Sequence, residues 1–117
     1  MAGPDAYLRF RAEFIALDPE RYPPDYIDRK VSNGHWRCWG NEHAAILAEI
    51  KTFPSGVKEV HGVAAAGDLR TIIELIPRAE SWGRKHGCTR AVIESRPGWD
   101  RALPTYELHQ VCLRKDL

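Results

Sequence analysis

Val63-Ala64-Ala65-Ala66-Gly67-Asp68-Leu69 runs straight from a β-like stretch into an amphipathic one that ends Trp82-Gly83-Arg84-Lys85-His86-Gly87. Cys88-Thr89-Arg90-Ala91-Val92-Ile93-Glu94-Ser95 then returns as a second apolar strand. Strand, helix and strand returning to one sheet make a right-handed parallel unit. The spacing of Ile72, Ile73, Ile76, Ala79, Trp82 and Gly83 gives the helix one buried stripe. Asp68 suits its N-cap and Gly87 its left-handed stop. Pro77 sits inside it, removes the hydrogen bond to the Ile73 carbonyl and predicts a kink or break there. A glycine at the strand-to-helix junction lets the backbone turn and aims free N–H groups outward, a natural anion site.

Outward from that unit, Pro54-Ser55-Gly56 and Gly40-Asn41-Glu42 are turn signals that separate three strands. These strands are His35–Trp39, His43–Phe53 and Val57–Ala65, joined tightly enough for an antiparallel meander. Two helices precede them. The first is capped by Asp5 and carries Tyr7, Leu8, Phe10, Phe14, Ile15 and Leu17; the second starts at Pro24 and stops at Asn33-Gly34. After Ser95, a turn through Arg96-Pro97-Gly98-Trp99 and a short helix lead to Tyr106-Glu107 and a last alternating stretch. The predicted order is α-α-β-β-β-α-β-α-β, an α+β fold with a mixed, mostly antiparallel sheet flanked by helices. The core should join Ile72, Ile73, Ile76 and Trp82 to Val92 or Ile93 and to Leu108.

The chain of 117 residues forms one domain, 1–117. A net charge of +1, without a basic or acidic tail, gives no electrostatic reason to expect a nucleic-acid partner. No apolar run approaches the roughly 20 residues of a membrane span, and the N-terminus lacks a signal-peptide pattern. Three scattered cysteines, Cys38, Cys88 and Cys112, argue against a disulfide framework, so a cytoplasmic setting is expected. His35, Cys38 and His43 are zinc-ligand types, but they have no paired spacing and no fourth ligand, so no metal is expected. Trp36 and Trp39 fall on opposite strand faces. With so little net charge, core or interface packing accounts for them better than base stacking does.

The element order, with Glu80–Cys88 as helix end and turn and Ala102-Leu103-Pro104-Thr105-Tyr106-Glu107 as a compressed Ala-x-x-x-Tyr stretch, resembles the acyl-CoA N-acyltransferases of the GNAT superfamily. The likeness spans about residues 5–117 and lacks the family's usual first strand. Arg96-Pro97-Gly98-Trp99 and the Lys115-Asp116-Leu117 terminus also resemble small GNAT-like proteins encoded by bacteriophages and prophages, in host cytoplasm or virion. The resemblance implies acetyl-CoA as cofactor, at Ala65, Ala66, Gly67, Asp68 and Leu69. It implies Tyr106 as the acid at the departing thiolate and an amine acceptor. A base acting directly or through water would come from Glu49, His61 or Glu59, with Glu49 placed first.

The chain departs from the family's Arg/Gln-x-x-Gly-x-Gly/Ala loop, because Ala64–Asp68 holds one glycine and no basic residue. Asp68 there repels a phosphate even as it suits the helix dipole. Weak acetyl-CoA binding is expected, with the Asp68 carboxylate folded back onto the N–H of Arg70 or Thr71. Two functions therefore stand side by side. One is an N-acyltransferase. The other is a non-catalytic virion or assembly-associated protein that keeps the fold and binds a protein partner or a second copy of itself.

Overall fold

The computed structural model describes residues 4–94, 99–110 and 112–117. Two helices, α1 (Pro4–Leu17) and α2 (Pro24–Ser32), lead into β1 (Arg37–Gly40), β2 (Ala44–Thr52) and β3 (Lys58–Gly67). Then come α3 (Leu69–Lys85), β4 (Arg90–Ile93) and the short α4 (Trp99–Ala102). Asp5 falls inside the first turn of α1, where its charge suits the dipole. Pro24 opens α2 as predicted, and Gly34 follows its end with φ +82°.

The strands lie in the order β1-β2-β3-β4, the first two pairings antiparallel and β3–β4 parallel across the α3 crossover. This is the predicted mixed sheet. The last strand of the predicted order is not formed among the described residues 106–110 and 112–117. Leu108 is 72% exposed and Leu113 91%, so the alternation there buries no face and Leu108 does not join the core.

The sheet is covered on both faces. Tyr7, Phe14, Ile27 and Trp36 pack with Cys38, Ala45 and Leu47 beneath α1 and α2. Trp39, Ile46 and Val60 pack with Ile72, Leu75 and Ala79 beneath α3. The two tryptophans do fall on opposite faces, and both are core. Ile72 is buried as predicted; Ile73 is only half-buried, while Thr71 and Leu75 are buried instead. Ile76 and Trp82 are partly buried at the margin of the cluster. α3 runs unbroken past Pro77. The proline is exposed, so water can serve the carbonyl it deprives.

A cleft where two strands part

Two irregularities open the sheet at one place. Leu47 pairs with Ala64 but Ala48 pairs with Gly62, so Val63 is an extra residue, a bulge that bends β3. The parallel pairing with β4 runs from Glu59↔Arg90 to Gly62↔Ile93, while β3 continues to Gly67 along β2 alone. Where the strands part lies a mainly apolar cavity of about 100 Å³. Gly62 to Ala65 and Ala91 to Ile93 form its strand walls, Ile72 and Ile76 its roof, and Glu80 and Tyr106 one polar end, with Glu94 lining it just past β4.

Gly67, at the end of β3, has φ +103°, and a Cβ there would lie 2.3 Å from the His43 carbonyl oxygen. Only glycine fits the turn that feeds α3. Asp68 then caps the helix: its Oδ2 accepts from the Thr71 N–H at 3.0 Å and from the Thr71 hydroxyl at 2.8 Å. These bonds, the backbone one first, hold the carboxyl below its ordinary range; His43 and Arg70 add smaller Coulombic contributions. A helix leaves its first four N–H groups without intrahelical partners. Here Asp68's own N–H goes to the His43 carbonyl at 3.0 Å and Thr71's to the Asp68 side chain, which leaves those of Leu69 and Arg70 for an anion. The predicted fold-back is therefore seen, on Thr71.

Tyr106 reaches this cleft from the segment after α4, anchored by its N–H to the Leu103 carbonyl at 2.9 Å. Its half-buried hydroxyl donates to Glu80 Oε2 at 2.5 Å. Burial first, then the hydrogen bond and charge of Glu80, push the phenol far above its ordinary range, so it stays protonated through neutral pH. Glu49 stands elsewhere: it is half-buried on β2 opposite His61 and does not line the cavity.

Beside the cleft, on the face opposite α3, His61 and Glu59, two of the three expected bases, join a network whose other members, Arg90 and Glu94, have no local mark in the sequence. Buried His61 meets Glu59 Oε1 through Nε2 at 2.9 Å, and Arg90 Nη1 donates to Glu59 Oε2 at 2.8 Å. Glu94 Oε1 lies 3.7 Å from His61 Nδ1. Alternation along β3 puts Glu59 and His61 on one face, but only the parallel register brings Arg90 alongside.

Among the described residues, no group of three or more His, Cys, Asp or Glu is gathered as metal ligands would be. His35 and His43 are exposed, whereas Cys38 is buried and its thiol is pushed up to about 11 by burial. No helix among the described residues is long and apolar enough to cross a membrane. Residues 96–98, which carry part of the resemblance to phage proteins, lie outside the described residues.

In its fold the chain is GNAT-like, an architecture shared with solved acetyltransferase structures. A Trypanosoma brucei acetyltransferase superposes with a TM-score of 0.68 at 15% identity, covering 100% of this chain and 97% of that one. A predicted acetyltransferase from Clostridium acetobutylicum, solved with acetyl-CoA, gives 0.66 at 10% identity over 99% and 94%. The aminoglycoside N-acetyltransferase AAC(6')-Iy, solved with CoA, gives 0.62 at 14% identity over 100% and 98%. No family model and no curated protein sequence matches the chain.

Proposed function

We propose that this chain is an acetyl-CoA-dependent N-acyltransferase whose grip on the cofactor is weakened by Asp68. One observation carries the reading: the cavity between the parted strands β3 and β4 is lined both by Ile72 and Ile76 of α3 and by Tyr106. The pyrophosphate would lie at Ala65, Ala66, Gly67, Asp68 and Leu69. The Leu69 and Arg70 N–H groups and the Arg70 side chain would then have to offset the Asp68 carboxylate. The acyl thioester would enter the cavity, and Tyr106, released from Glu80, would protonate the thiolate. A primary amine would be the acceptor, with its base on the sheet face that Glu49, His61 and Glu59 share. A cytoplasmic setting belongs to this reading.

A second reading has its own support. The capped α3 and the exposed Leu108, Leu113 and Leu117 favour a non-catalytic interaction protein, of the phage assembly type or self-associating. Calorimetry with acetyl-CoA on the wild type and on Asp68→Asn separates the two. Weak binding by the wild type that tightens in the variant is expected. Micromolar binding by the wild type refutes the weakened grip and keeps the enzyme. No heat from either protein leaves the interaction role as the account.

A further inference from the structure

We propose that the cavity between β3 and β4 is an acyl-chain pocket, and that the donor this chain prefers is the CoA thioester of a short fatty acid of about four carbons rather than acetyl-CoA. The inference rests on the acyltransferase reading and names the acyl group that the pocket selects.

The size and the walls of the cavity carry it. An apolar cavity of roughly 150 Å³ takes up benzene, so the cavity of about 100 Å³ here has room for about four carbons of chain. An acetyl group ends in a methyl and would leave most of that space empty. Apart from Glu80, Glu94 and Tyr106, the side chains that line the cavity are aliphatic, with the Trp99 ring beside them. The arm of CoA itself carries amides, and burying an amide without a hydrogen-bond partner is costly. Aliphatic side chains offer no such partner, whereas a hydrocarbon chain needs none. With Tyr106 at the sulfur, the thioester stands at the polar end and the chain beyond its carbonyl meets the aliphatic walls.

The room comes from alanines. Ala48 on β2, Ala65 on β3, Ala91 on β4 and Ala79 on α3 all line the cavity. Close packing of helix on sheet does not account for them. α3 meets β3 tightly about one turn beyond Ala79, at Gly83, where a Cβ would lie 2.8 Å from Val60 Cγ1 and no gap is left. At the alanines the gap remains, although dense interiors leave few voids larger than a water molecule. Two of the alanines flank Val60: Ala91 is its partner in the parallel register, and Ala79 packs in the same cluster. These two positions therefore set how long a chain can enter.

Calorimetry of the wild type with CoA and its acetyl, butanoyl, hexanoyl and octanoyl thioesters tests the pocket. The Asp68 charge acts on all of them alike, so their ratios are independent of it. Each buried methylene should tighten binding about 4-fold, hence about 15-fold from acetyl to butanoyl. Once the pocket is full, the longer chains should add less than about 2-fold. Equal affinities for acetyl and butanoyl overturn the proposal and leave the acyltransferase reading standing. A gain that climbs steadily to octanoyl does the same, because it marks unspecific apolar contact. If neither CoA nor any thioester binds, the acyltransferase reading fails and the pocket's assignment goes with it. Two variants change the pocket in opposite senses. Ala91→Leu should bring the butanoyl-to-acetyl ratio to about 1. Ile76→Ala, which raises the roof, should move the preference to hexanoyl. Ratios that neither variant moves overturn the proposal.

Discussion

The Asp68 carboxylate holds Thr71 twice, through its N–H at 3.0 Å and its hydroxyl at 2.8 Å, on the turn proposed above for a cofactor phosphate. One side chain is thus both helix cap and anion repellent, and two substitutions separate the roles. Asparagine caps about as well as aspartate, so Asp68→Asn should melt with the wild type, whereas Asp68→Ala should melt earlier. Both remove the charge. Each should tighten acetyl-CoA binding by about 2- to 30-fold, the span of a charge effect at a helix N-terminus. Calorimetry reads the affinity and a urea titration the cap. Unchanged affinity in both variants would show that the charge does not control the site.

Gly83 allows α3 to lie against β3: a Cβ there would meet Val60 Cγ1 at 2.8 Å and Val60 Cβ at 2.9 Å. On an exposed helix face, glycine to alanine stabilises by about 1 kcal/mol. Here the sign should reverse. Gly83→Ala should cost about 1–3 kcal/mol through overpacking, and Val60→Ala in the same chain should recover part of that loss. Denaturant midpoints of the two single variants and the double one test the coupling.

Leu75→Ala, at a site 4% exposed, should cost about 2–5 kcal/mol, and Ile73→Ala, at a half-buried site, less than about 2 kcal/mol. Equal losses would place the seam of α3 one position away from where the packing puts it.

That difference shows what the sequence made legible. Local chemistry was readable. Pro54-Ser55-Gly56 separates two strands, Asp68 caps α3 and Gly87 ends it with φ +85°. The strand–helix–strand order was enough to give the parallel pairing of β3 with β4. The apolar spacing centres the stripe toward Ile73, because Thr71 looks polar although its hydroxyl is satisfied by Asp68 and it can be buried. The partners of the site were not legible at all. Tyr106–Glu80 spans 26 residues and Arg90–Glu59 spans 31, so no local pattern marks Glu80, Arg90 or Glu94. Alternation predicts a last strand, but alternation makes a strand only where a neighbour accepts its hydrogen bonds.

The helical layer carries its own acid sensitivity. Hydrogen bonds from Arg11 Nη2 at 2.7 Å and Nε at 2.8 Å, then from the Tyr7 hydroxyl, lower the Asp28 carboxyl to about 2. A depressed carboxyl favours the fold above its unfolded value of 3.8, and that contribution is lost as pH falls toward 2. The Asp28 and Arg11 side chains are 39% and 41% exposed, so solvent screening makes the effect small and salt-sensitive. Asp28→Asn should flatten the fall in stability between pH 4 and 2 seen in urea titrations of the wild type. Added 1 M salt should act on the wild type in the same direction.

Tyr106→Phe tests the acid role proposed for Tyr106. The ring is half-buried and its packing survives the substitution, but the hydroxyl bonded to Glu80 is lost. Because burial and Glu80 keep the phenol protonated, it can serve as an acid only by moving its single proton from the carboxylate to the sulfur. Tyr106→Phe should therefore lower kcat by about 100-fold or more, with little change in acetyl-CoA affinity. Acyl donors with more acidic thiols leave without help, so the same variant should lose much less rate with an acyl thiophenyl ester. Comparing the two donors in wild type and variant separates an acid from a packing residue. An equal loss with both would mean that Tyr106 only shapes the cavity, and that the thiolate leaves unprotonated into water.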